Sequence, residues 1–117
     1  MSSNTSTSLT KNSYSQALFE LASEKNSIND IEAQVSAILG LIDKSKDFKD
    51  LIKDPTYKIE DQLKAINEIS NQFKFNELLK KFLGFLISKR RFFYVEKILN
   101  DFFFIFLNSR GEIQAEL

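Results

Sequence analysis

Residues 92–107 read FFYVEKILNDFFFIFL, and how this stretch is taken decides the fold. With its aromatic run from Phe102 to Phe106 it is open to three readings: a membrane span, a buried strand or a core helix. A span needs about 20 apolar residues in succession, and here Glu96, Lys97, Asn100 and Asp101 interrupt them. A strand would alternate its faces at every residue. Val95, Ile98, Leu99, Phe102 and Phe106 instead recur at three- and four-residue steps, the spacing of one helix face. The spacing predicts a helix over Phe92–Asn108 with those five residues as its inward stripe.

The same period extends toward the N-terminus. Phe75–Lys89 reads as a fifth helix and Lys58–Phe73 as a fourth, the latter with Ile59, Leu63, Ile66, Ile69 and Phe73 inward. Pro55 ends a short third helix carrying Phe48, Leu51 and Ile52, because the residue before a proline avoids the helical region. The cleanest stripe is Ile28, Ile31, Val35, Ile38 and Ile42; it predicts a second helix from Ser27, with Ser27 and Asp30 at the offset of a capping pair. A first helix is expected over Thr10–Lys25, with Tyr14, Ala17, Leu18, Leu21 and Ala22 on one side and Phe19 widening the arc.

The ends read differently. Residues 1–8 are polar and are expected to be a disordered tail. Gly111 supplies a stop, after which Ile113, Ala115 and Leu117 alternate with polar residues as in a strand. The expected organisation is therefore all-α: a six-helix antiparallel-type bundle over residues 9–108, followed at 109–117 by a linker and the truncated start of a second domain.

Composition agrees with a helical binding domain. Glycine (3) and proline (1) are scarce in the 117 residues, which favours helices. Sixteen basic residues balance sixteen acidic ones, where a dedicated nucleic-acid binder carries a basic excess. Histidine and cysteine are both absent, which removes the commonest general base, the thiol nucleophile and the usual transition-metal ligands. Gly40, Gly84 and Gly111 are too dispersed for a phosphate loop. No catalytic residue, metal or cofactor is expected. The Ser/Thr/Asn-rich N-terminus resembles neither a signal nor a transit peptide, so the chain is expected to work in the compartment where it is made.

Two helices carry apolar arcs wider than the ~100° a core-facing helix needs. On the fifth helix, Leu78, Leu79, Phe82, Leu83, Phe85, Leu86 and Ile87 span roughly twice that. Gly84, near Lys80 and Lys81, costs helix stability and suits the close approach of another backbone. On the first helix, Tyr14, Ala17 and Leu21 flank the core residues. From periodicity alone the wide arcs fit either a groove for an amphipathic helix or a central place in the bundle. The stretch from Lys80 to Arg91 carries five basic residues and no acid. It suits a solvated helix end or a patch for an acidic partner, a membrane surface or RNA.

Four segments together resemble the ATP synthase delta/OSCP family. They are Tyr14-Ser15-Gln16-Ala17-Leu18-Phe19-Glu20-Leu21-Ala22, Leu51-Ile52-Lys53-Asp54-Pro55 followed by Lys58, Phe82 through Phe92 with its basic turn, and Arg110 through Leu117. They cover nearly the whole chain. Ser15 departs from the family pattern, which usually has alanine there, and Asn12-Ser13 from its arginine.

The resemblance implies a non-catalytic peripheral-stalk subunit whose N-terminal six-helix domain binds the N-terminal helix of an alpha subunit between helices one and five, helping couple proton flow to ATP synthesis. Carried over by residue, the groove would be walled by Tyr14, Ala17, Leu18 and Leu21 and by Lys80, Leu83, Gly84 and Ile87. It further implies peripheral-stalk b subunits as partners of the missing C-terminal domain, membrane association only through the complex, and a monomeric isolated domain. The implied setting is the cytoplasmic face of a bacterial inner membrane, ahead of the matrix side of a mitochondrion. The competing reading from the residues is an RNA-binding helical bundle of the antitermination-factor type, using the Lys80–Arg91 stretch.

Overall fold

The stretch that reads as a core helix is one. In the computed structural model, which describes residues 3–110 and the side chains of residues 13–110, it is one of six helices. They are α1 (Ser3–Glu24), α2 (Ile28–Lys44), α3 (Lys46–Lys53), α4 (Ile59–Phe73), α5 (Glu77–Ser88) and α6 (Val95–Ser109), with a 3-10 turn at Phe92–Tyr94 before α6. No strand occurs among the described residues. The expected strand at residues 112–117 lies outside them.

α6 is the hub. Val95, Ile98, Leu99, Phe102 and Phe106 are all buried, and α6 has α1 and α2 as its main neighbours. Phe19 of α1 meets Phe102 with ring centroids 6.4 Å apart. Ser15, fully buried on α1, donates its hydroxyl to the Ile98 carbonyl at 2.7 Å. Serine at this position thus ties the first helix to the last. The α2 stripe is also inward, with Ile31, Val35, Ile38 and Ile42 buried.

Three expectations are corrected. α1 begins at Ser3 rather than Thr10. Extending a helix from a packed turn costs far less than starting one, and Leu18 and Ala22 anchor that turn. Ser27 does not cap α2: its hydroxyl donates to the Lys25 carbonyl. The side-chain caps fall on α3, where Ser45 Oγ accepts from Phe48 N at 3.1 Å, and on α5, where Asn76 Oδ1 accepts from Leu78 N at 2.8 Å. On α4, Leu63 and Phe73 are exposed and only Ile66 and Ser70 are buried. α4 leans on α5 at the edge of the bundle, so its period has a single narrow seam to serve.

α1, α4 and α5 end alike. Asn26, Lys74 and Arg90 take left-handed backbone angles (φ 55°, 56° and 60°). The following N–H bonds back to Ala22, Ser70 and Leu86 at 2.8, 2.9 and 2.7 Å. Glycine is the usual occupant of this cap. Lys74 and Arg90 hold it at a cost of roughly 1 kcal/mol each relative to glycine.

Candidate docking face on α1 and α5

The eight residues expected to wall one groove fall into three environments. Tyr14, Ala17 and Leu21 lie on the flank of α1 beside α5: Tyr14 is half-buried, Ala17 exposed and Leu21 40% exposed. Leu18, Leu83 and Ile87 are buried in the core, with no surface to offer a partner. Lys80 and Gly84 turn toward α4, where they line a cleft of about 360 Å³ with Leu63 and Asn67. A Cβ on Gly84 would meet Leu63 Cδ2 at 3.8 Å. That is ordinary contact, so α4 comes no closer to this glycine than it could to an alanine.

The reason is angular. At about 100° per residue, Lys80, Gly84 and Ile87 share one edge of the α5 buried arc, while Leu78, Phe82 and Phe85 share the other. α1 comes up on the second edge. Tyr14 and Phe85 meet edge to face, with centroids 6.0 Å apart and planes at 67°. Phe85 stays 45% exposed, and Lys89 Nζ sits 5.7 Å from its ring centre. Phe85 is a residue of this seam that reading by family position left out. Its signal was present, because Leu78, Phe82 and Phe85 form their own stripe at steps of four and three.

Ala17, Leu21, Tyr14 and Phe85 make an apolar strip across the α1–α5 seam. Glu20 and Glu24 stand on its α1 side, Lys81 and Lys89 on its α5 side, and all four are exposed. Such a surface can bury an amphipathic helix and set its direction by charge. Among the described residues no group of acidic side chains is placed to hold a metal ion, and no helix is long and apolar enough to cross a membrane.

Comparison with known proteins gives a consistent outcome. The family model described as ATP synthase delta (OSCP) subunit matches residues 10–117. An ATP synthase subunit delta from Pelagibacter ubique is 60% identical over 104 residues, which cover 89% of this chain and 56% of that protein. One from Rhizobium meliloti is 36% identical over 104 residues, 89% of this chain and 55% of the relative. The chain thus spans about half the length of the curated relatives it matches. A chain in the cryo-EM structure of the Toxoplasma gondii mitochondrial ATP synthase hexamer shares the fold, with a TM-score of 0.75 at 21% identity over 79% of this chain and 51% of that one. With a family model matched from the first helix onward and close relatives over the same helices, the chain belongs to the ATP synthase delta (OSCP) subunit family.

Proposed function

We propose that this chain is a non-catalytic part of the peripheral stalk of a bacterial F-type ATP synthase, and that the α1–α5 strip holds the N-terminal helix of an alpha subunit. The observation that carries this is the partly solvated apolar seam of Tyr14, Ala17, Leu21 and Phe85, where Tyr14 of α1 meets Phe85 of α5 edge to face. The family, the bacterial delta subunits among its relatives and the absence of histidine and cysteine support a binding role.

The contact surface differs from the one carried over by family position. Tyr14, Ala17 and Leu21 remain, and Phe85 with Leu78 replaces Lys80, Leu83, Gly84 and Ile87 as the α5 wall. Holding a stator against rotation requires a slowly dissociating contact rather than chemistry. Apolar area buried in a groove supplies that mainly through the off-rate. The b subunits of the stalk are proposed partners of the portion of the subunit beyond these helices. The proposed assembly has the chain peripheral to the membrane, on its cytoplasmic face. The balanced charge and the family both weigh against the RNA-binding alternative.

The test is a titration with the N-terminal peptide of the same organism's alpha subunit, about 20 residues or 30 Å of helix, followed by backbone amide shifts. Saturable changes centred on Tyr14, Ala17, Leu21 and Phe85 are expected. A folded domain that shows no change at high peptide concentration would end this reading.

A further inference from the structure

α4 has α5 as its main neighbour. On its other side, toward α2 and α3, an open groove of about 410 Å³ remains. Leu41, Phe48 and Leu51 form one wall, and Ala65, Ile69 and Phe73 form the other. Tyr57 also lines the groove, and Tyr57 and Phe73 are 42% and 49% exposed. A single apolar side chain on a surface needs no explanation, but two half-exposed aromatic rings at one apolar groove do.

The groove is preformed. Gln62 Nε2 of α4 donates to the Leu51 carbonyl of α3 at 2.9 Å. Gln34 Oε1 of α2 accepts from Asn76 N, at the start of α5, at 2.7 Å. These bonds tie the α4–α5 hairpin to α2 and α3. Phe73 is held by stacking on Phe75, with ring centroids 5.9 Å apart. A surface fixed in this way loses little freedom when it receives a ligand. Between Ala65 and Phe73 the α4 wall runs for about 12 Å, roughly two turns of helix. Ala65 is the small residue of that wall and leaves room for an opposing backbone.

The charges at the groove have one sign. Its lining holds two charged side chains, Asp47 on α3 and Glu68 on α4, both exposed and both acidic. Neither makes a hydrogen bond or ion pair among the described residues. Lys46, beside Asp47 in sequence, is paired with Asp50 at 3.1 Å. α2 and α4 both end at the groove and turn the negative ends of their dipoles toward it. Asp47 offsets the opposite end of α3. Lys44 and Lys74 stand at the ends of α2 and α4 but do not line the groove.

We propose that this groove docks a basic amphipathic helix of a protein partner, its apolar ridge lying along Ala65, Ile69 and Phe73 and its lysine or arginine side chains reaching Asp47 and Glu68. Apolar walls supply the buried area, and the unopposed acids on the two walls select a cationic flank. The site uses none of the α1–α5 strip, so it stands or falls independently of the alpha-subunit reading.

The experiment titrates the full 117-residue chain with an acetylated, amidated Lys-Leu-Ala-Lys-Leu-Leu-Lys-Lys-Leu-Ala-Lys-Leu peptide, followed by amide and side-chain shifts. A parallel arm uses the same peptide with Glu for every Lys. Saturable shifts are expected at Phe48, Ala65, Ile69 and Phe73, weaker with added salt and far weaker with the acidic peptide. The double variant Asp47→Asn with Glu68→Gln should lose affinity roughly threefold to tenfold, and Phe73→Ala roughly tenfold. Both change exposed side chains and should stay folded. Ala17→Asp, which disables the α1–α5 strip, should leave these shifts in place. Four outcomes overturn the proposal: no saturable shift at these residues, equal response to the acidic peptide, affinity unchanged in both groove variants, or the same shifts on raising the protein concentration without peptide, which would assign the face to a second copy of the chain.

Discussion

A single hydroxyl distinguishes the α1–α6 contact from a purely apolar one. Ser15 is completely enclosed and donates to Ile98 O. Ser15→Ala removes that bond without opening a large cavity. It should cost about 1 kcal/mol, read as a melting temperature lower by roughly 4–8 °C. An unchanged melt would show that the hydroxyl only balances its own burial. A second residue-scale effect concerns Asp54, whose carboxyl is held below the ordinary range first by the Thr56 N–H and then by the Thr56 hydroxyl. A depressed folded-state value means that its stabilisation is present above the unfolded value and is lost as pH falls through the folded one. Thr56→Val should move the Asp54 titration, followed by carboxyl carbon shifts, partway back toward the ordinary value. A titration that stays in place would assign the whole effect to the backbone N–H. Ser70 is the residue without an account: its hydroxyl is buried on α4 with no partner among the described residues.

Helices separate what can be read in a sequence from what cannot. The stripes of α2 and α6 are explicit, because each helix has a broad apolar neighbour and its period is fixed by it. On α5 the apolar residues occupy so much of the circumference that period alone leaves two edges equivalent. Which edge faces α1 and which faces α4 is a matter of tertiary placement. Family position selected the α4 edge, and the Tyr14–Phe85 contact marks the other. Variants distinguish the two. Ala17→Asp should fold normally and lose alpha-subunit peptide binding. Ile87→Asp should fail to fold, because it leaves a charge unpaired in the core. Gly84→Ala should leave peptide binding unchanged and raise stability by about 0.5–1 kcal/mol, since a Cβ there finds only ordinary contact with Leu63. Denaturant melts and the peptide titration read all three. A peptide affinity lost on Gly84→Ala would return the groove to the α4 edge.

For the whole molecule, chain order and spatial order agree only in part. α4 and α5 pair as neighbours in sequence, whereas the heart of the bundle joins the two ends of the chain, α1 to α6. Residues at the periphery should open first. α4 buries only Ile66 and Ser70, while α6 buries five residues, so native-state hydrogen exchange should release α4 amides well before those of α6. Equal protection would contradict the placement of α4 at the edge. The Ser15–Ile98 bond spans 83 residues, and this has a consequence for biosynthesis. At about 5–20 residues per second on the ribosome, α1 is finished roughly 4–17 s before the helix that covers it exists. Throughout that interval the apolar face of Leu18 and Ala22 lacks its main cover. Nascent copies on one message then carry like faces close together, and slower translation lengthens the time in which they can associate with each other before α6 arrives.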